Sequence, residues 1–150
     1  MSVKPWQKWM TAGIILMIVG MFVSAWLLWD TLPDRIPAHY NALGEPDRYD
    51  GKGTVLVLPC VSVVLSAVFG FVIGHPKTWN MPNGKTEAHY ALTRATLYWI
   101  WFLLVCAFCA MYICEVCAGG LSLWCMPIAP AAVFVPLILY IVRSRRIPHA

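Results

Sequence analysis

MTAGIILMIVGMFVSAWLLW, residues 10–29, carries no charged side chain. As a helix rising about 1.5 Å per residue it matches the roughly 30 Å hydrocarbon core of a bilayer. Backbone polar groups in lipid have no water to pair with, so such a run must be helical, and it predicts a transmembrane span. Lys4 and Lys8 precede it, as they would a signal peptide. Its apolar stretch exceeds the usual length of about 7–15 residues and no A-x-A site follows, so the expectation is an uncleaved first helix.

Three further runs have the same character: 54–74, 95–118 and 121–142, with Glu115 the only charged residue inside any of them. Thr86 can cap the third helix with Glu87 in its first turn, which starts that helix ahead of its apolar run. The predicted fold class is therefore an all-α integral membrane protein. It forms a single membrane domain over 1–150, with four transmembrane helices at about 10–29, 54–74, 87–118 and 121–142 and a structured extracellular loop, 30–53, between the first two. Composition agrees. The chain is 60% hydrophobic and 12% charged, where soluble domains run near 45–50% and 25%, which excludes disorder and argues against a soluble globule. Lys and Arg lie at segment ends rather than along one face, which argues against nucleic acid as a partner.

Four crossings put both termini on the side of the middle loop. That side holds Lys4, Lys8, Lys77, Lys85, Arg94, Arg143, Arg145 and Arg146; the other holds Arg35, Arg48 and Lys52 with Asp30, Asp34, Glu45, Asp47 and Asp50. The positive-inside rule then predicts cytoplasmic termini and an acidic outer loop. Trp6, Trp9, Trp79 and Trp99 on one side and Trp26, Trp29 and Trp124 on the other read as aromatic belts. Pro59, Pro127, Pro130 and Pro136 fall within the second and fourth helices and favour kinks. Gly70 and Gly74 have the spacing that lets helices approach closely.

The outer loop is long for a connection between membrane helices. Pro33 and Pro37 fix φ, Gly44-Glu45-Pro46-Asp47 and Asp50-Gly51-Lys52-Gly53 are turn chemistry, and Ile36 to Asn41 can run extended, so a small folded cap is expected. Asp34, His39, Asn41, Glu45, Asp47 and Asp50 gather in it. Oxygen ligands with one imidazole suit a divalent cation, which makes Asp34, His39, Glu45 and Asp47 the candidate metal ligands, and a carboxylate beside a histidine can act as general acid or base. The same residues also serve as solvated turn and capping groups, and no H-E-x-x-H spacing is present. Cys106 with Cys109 and Cys114 with Cys117 form two C-x-x-C pairs, but both lie on a helix, where buried cysteine behaves as a small hydrophobe. The loop between the third and fourth helices is little more than Gly119-Gly120, which predicts a tight outer hairpin, and Cys117 and Cys125 flank it and could pair there. Glu115 suits either a proton or ligand site or, one turn from Gly119, an interfacial anchor. No nucleophile with a base in reach and no phosphate-cradling glycine loop is seen, and no cofactor is expected.

Leu32-Pro33-Asp34-Arg35-Ile36-Pro37-Ala38-His39-Tyr40-Asn41, then Gly44-Glu45-Pro46-Asp47-Arg48-Tyr49 and Lys52, resemble the LPDRIPxHFNxxGEPDxWGSK signature of the domain-of-unknown-function family numbered 1648. Asn80-Met81-Pro82, followed by Thr86, Glu87, Tyr90 and Arg94, is similar to that family's N-Y-P segment leading into its third helix. Tyr40 stands where the signature has Phe, and Tyr49-Asp50-Gly51 where it has Trp-Gly-Ser. The resemblance implies kinship with the SdpI-type immunity proteins, multi-spanning proteins of the bacterial cytoplasmic membrane that protect a producer from its own secreted toxin; many of those are longer.

The function expected is accordingly non-enzymatic docking of an extracellular peptide toxin or membrane protein partner. The contacts are expected from Asp34, His39, Tyr40, Asn41, Glu45, Asp47 and Tyr49, on a loop shaped by Pro33, Pro37, Gly44 and Pro46, with Asn80, Pro82, Tyr90 and Arg94 as the second motif. Five acids against three bases in the loop suit a cationic peptide. The alternatives are an accessory subunit of a membrane transporter or peptide-processing complex, contacting partner helices through Gly70, Gly74 and the fourth helix, and a metal-dependent membrane site in the outer loop.

Overall fold

The computed structural model describes residues 3–41, 45–80, 86–118 and 128–147. Helix α1 spans Pro5–Leu28, strands β1 and β2 span Arg35–Tyr40 and Pro46–Gly51, α2 spans Val57–Gly74, α3 spans Glu87–Ala118 and α4 spans Ile128–Ser144. Short 3-10 turns, Lys52–Leu56 and Pro76–Thr78, lead into and out of α2.

The helix starts follow from capping rather than from hydropathy. α1 begins ahead of its apolar run because Pro5 occupies its first turn and Gln7 reaches back, its Oε1 accepting the Lys4 backbone N–H at 2.8 Å. At α3, the Thr86 hydroxyl accepts the His89 N–H at 3.4 Å and pairs with His89 Nδ1 at 2.7 Å, as expected of its cap. Pro59, expected to interrupt α2, falls instead in its first turn, where a missing N–H leaves no intrahelical bond unmade. Pro136 does lie inside α4. The 119–127 stretch, with the Gly119-Gly120 hairpin, Trp124, Cys125 and Pro127, lies outside the described residues, as does any pairing of Cys117 with Cys125.

Three helices are long and apolar enough to cross a membrane: Pro5–Leu28, Lys52–Gly74 and Glu87–Cys117. Of their most hydrophobic windows only 17%, 17% and 22% of residues are buried inside the protein, so most of the apolar surface faces outward, as it does when lipid is the solvent. Within the described residues the fourth helix is shorter, 17 residues. α3 has 32 residues, about 48 Å at helical rise, so it exceeds the hydrocarbon thickness.

α3 is the post against which the other helices lean. Its Tyr112 hydroxyl meets Ser24 of α1 at 2.9 Å, its Trp101 indole N–H donates to Ser66 of α2 at 3.0 Å, and its Thr93 hydroxyl donates to Tyr140 of α4 at 3.4 Å. Around these bonds a buried stripe of α1 (Ile14, Ile18, Met21, Ala25) packs with Tyr98, Trp101, Val105 and Tyr112 of α3. Gly13 lets α1 approach Phe102, whose ring carbon lies 3.5 Å from where a Cβ would stand. Gly70 and Gly74, by contrast, have no described residue within 4 Å of that position.

The tryptophans divide. Trp9, Trp26 and Trp99 are exposed on the helix surface as a belt requires, but Trp79 is buried, its indole N–H donating to the Val72 carbonyl at 2.7 Å. Trp6 stands edge-on to Tyr98. The Val72 carbonyl, in the last turn of α2, accepts this bond alongside the His75 N–H at 3.2 Å, and the contact holds Trp79 against α2.

The Ser24–Tyr112 contact is open to a double-mutant cycle. Ser24→Ala and Tyr112→Phe, singly and together, should show a coupling of about 0.6 kcal/mol in reversible detergent unfolding. Additive single effects would mean that the hydroxyls are satisfied separately.

Candidate site in the hairpin cap

At the end of the bundle where α1 stops and α2 starts, the chain folds into a two-stranded antiparallel hairpin. Ile36 to Asn41 was expected to run extended; the second strand, Pro46–Gly51, occupies residues whose prolines and glycines read as turns. The register pairs Arg35 with Gly51, Ile36 with Asp50, Pro37 with Tyr49, His39 with Arg48 and Tyr40 with Pro46. Ala38 on β1 and Asp47 on β2 therefore have no opposite number, and two bulges compensate each other. Pro37 and Pro46 cannot donate to a ladder, and bulges of this kind re-aim side chains.

The root of the hairpin is bound to the bundle. Ile36 is 3% exposed and joins Leu32, Val55, Met21 and Ala25 in the core, and Pro37 beside it is also buried. The Lys52 N–H donates to the Asp34 carbonyl at 3.2 Å. Lys52 also extends its ammonium group to the Trp29 carbonyl at 3.5 Å and stands 5.1 Å above the Trp29 ring. A cation here caps the C-terminal end of α1, where the helix dipole is negative, and gains from the ring face.

The outer half is held by polar clasps. Bulged Asp47 turns to His39, with Oδ1 2.6 Å from Nδ1. Asn41 and Glu45 close the mouth of the tip through three bonds: the Asn41 N–H to the Glu45 carbonyl at 2.9 Å, the Glu45 N–H to Asn41 Oδ1 at 3.0 Å, and Asn41 Nδ2 to Glu45 Oε2 at 3.0 Å. Arg48 pairs with Asp50 at 3.3 Å. All six residues of β2 are exposed, Tyr49 among them.

The structure thus brings together His39 with Asp47 and Asn41 with Glu45. Asp34 is exposed and contributes its backbone carbonyl, Tyr40 is half-buried, and Pro33, ahead of β1, and Pro46, the first residue of β2, are exposed. Gly44 and Pro82 lie outside the described residues. Among the described residues no group of three or more His, Cys, Asp or Glu side chains is placed to hold a metal ion; Asp34, His39, Glu45 and Asp47 do not converge. The second motif sits at the opposite end of the bundle, where Tyr90 packs on Trp79 with ring centres 6.0 Å apart. There Arg94 lines a recess with Lys4, Gln7 and Glu87, and Asn80 is exposed. Lys52 was the site residue whose role sequence reading missed. Its signal was a lysine one turn before a span, facing a tryptophan at the end of the preceding one.

Residues 15–63 match the family described as Domain of unknown function (DUF1648). The match runs from within α1 through the hairpin into α2, so it covers the first motif and stops short of the second. Over 94 residues the chain is 28% identical to an uncharacterised protein of Archaeoglobus fulgidus, in an alignment covering 57% of this chain and 51% of that one. The chain spans about half the length of the relative it matches. No solved structure matches.

Removing the buried side chain at the root should free the hairpin. Ile36→Ala costs about 2–5 kcal/mol for a buried site and should open Arg35 and Arg48 to trypsin while helical circular dichroism is unchanged. His39→Ala should leave the hairpin resistant, because an exposed ion pair contributes little to stability. Equal resistance of wild type and Ile36→Ala would show that the root does not depend on this contact.

Proposed function

We propose that this chain is a multi-pass membrane protein with four spans and cytoplasmic termini. In this reading it has no enzymatic activity of its own, and its hairpin cap, on the outer face, docks an extracellular peptide or partner protein as toxin-immunity proteins do. The observation that carries the reading is the contrast along the hairpin. Its root is locked into the core at Ile36, while every residue of β2 is exposed. A strand tethered to the core at its root yet turned fully outward is presented to a partner at a fixed place on the bundle, which favours recognition. Its chemistry suits a cationic partner: Glu45, Asp47 and Asp50 supply negative charge, Tyr49 offers a rigid aromatic contact, and the exposed strand edge can pair with an extended peptide.

The distribution of charge supports the orientation. Lys4 and Arg94 meet in one recess at the end opposite the hairpin, and Arg143 lies beside Leu92 and Ala95 of the same α3 segment. By the positive-inside rule, this basic charge supports a cytoplasmic position for that end. A second reading, an accessory subunit of a membrane transporter or peptide-processing complex, has in its favour the open faces of Gly70 and Gly74, against which no described helix packs. It predicts co-purification of a larger complex.

Cells expressing the chain should resist a cationic amphipathic peptide toxin better than cells without it. Asp47→Ala and Tyr49→Ala should abolish the difference while insertion, read by membrane fractionation, is unchanged. In a cysteine-free background, a cysteine at position 45 should label with an impermeant maleimide in intact cells. Labelling only after lysis would put the cap in the cytosol and overturn the reading.

A further inference from the structure

The cleft between α3 and α4 encloses about 370 Å³, within the range of small-molecule sites. Its walls are apolar for most of their length, with Leu92, Trp99 and Leu103 on α3 and Val135 and Leu139 on α4. Pro136, which adds no N–H to the α4 ladder, also lines it. Trp99, Val135 and Leu139 are exposed, so the cleft opens on the side of the bundle, where a membrane protein meets lipid.

Apart from Thr96, the polar groups of the described lining lie at one end of the cleft. Tyr140 accepts the Thr93 hydroxyl there, and Arg143, on the last turn of α4, is the only charged residue among the described ones in the lining. Among the described residues Arg143 has no carboxylate partner. Arg145 and Arg146 follow it. On the other side of Ala95, which lines both cavities, the neighbouring recess adds Lys4 and Arg94 against the lone acid Glu87. A long apolar slot ending at an unpaired guanidinium in a basic neighbourhood complements a molecule with a hydrocarbon chain and an anionic head.

We propose that this cleft seats one anionic phospholipid, with an acyl chain between Leu92, Leu103 and Leu139 and the phosphate on Arg143. The proposal rests on the membrane reading but not on the docking role of the hairpin. A guanidinium presents paired donors to phosphate oxygens, and a basic pocket between helices attracts an anionic headgroup. The walls match the chain for the same reason that they are stable in lipid. Both zwitterionic and anionic lipids could fill the slot, and the charge at its end selects the anionic one.

The full chain, in mixed micelles holding equal phosphatidylglycerol and phosphatidylcholine of identical chains, should retain one lipid in native mass spectrometry, with phosphatidylglycerol favoured by about five-fold or more. Arg143→Gln, at an exposed position, should bring the two lipids level. Leu139→Trp, which fills the slot from an exposed site, should remove retention of both with helical content unchanged. Equal retention of the two lipids by the wild-type chain, or no effect of Arg143→Gln, would overturn the proposal. So would a lipid-free dimer, which would assign the cleft to a second copy of the chain.

Discussion

Lipid tails are as apolar as leucine, so the hydrophobic effect that assembles soluble cores does not hold these helices together. What remains is close packing and the few polar contacts that helices can share. Here, among the described residues, α3 joins the other helices through four side-chain hydrogen bonds, from Tyr112 and Cys106 to α1, from Trp101 to α2 and from Thr93 to α4. They are spread along its length, and the aromatic residues around them fill the spaces between. The remaining elements take their positions from this post. The hairpin stands where α1 and α2 deliver it, and the α3–α4 cleft exists because α4 leans on the same post along one side.

Much of this was legible in the residues. Long apolar runs with a single charge, Glu115, among them announced the helices, and the Thr86 cap placed the start of α3 at Glu87 because its chemistry is local. The extended run after Ile36 was also visible. β2 was not, because Pro46, Asp47, Asp50 and Gly51 each favour turns when read singly; the strand forms because it pairs with β1, a contact no single segment encodes. Likewise Pro59 read as a helix breaker until the 3-10 turn before it moved the start of α2 to Val57.

The candidate site was legible as a set of residues but not as an arrangement. His39 and Asp47 are eight positions apart, and only the paired bulges at Ala38 and Asp47 bring them to 2.6 Å. Asp34 and Glu45, which spacing alone grouped with them, belong to other contacts at the root and the tip. Lys52 shows the converse. Its sequence neighbours suggest only a turn, yet it stitches the beginning of one span to the end of another through the Trp29 carbonyl and ring. Long-range geometry decides such roles, and sequence periodicity carries none of it.

The hairpin is bound by two different kinds of force along its length, and its stability is graded in consequence. Near Ile36 an opening fluctuation would expose core, so that half moves only with the bundle. Beyond Pro37 the strands are joined by hydrogen bonds and ion pairs already in contact with water, and such contacts open locally at low free energy. The outer half is therefore a separate cooperative unit, able to part and re-close its strands while the helices beneath stay folded.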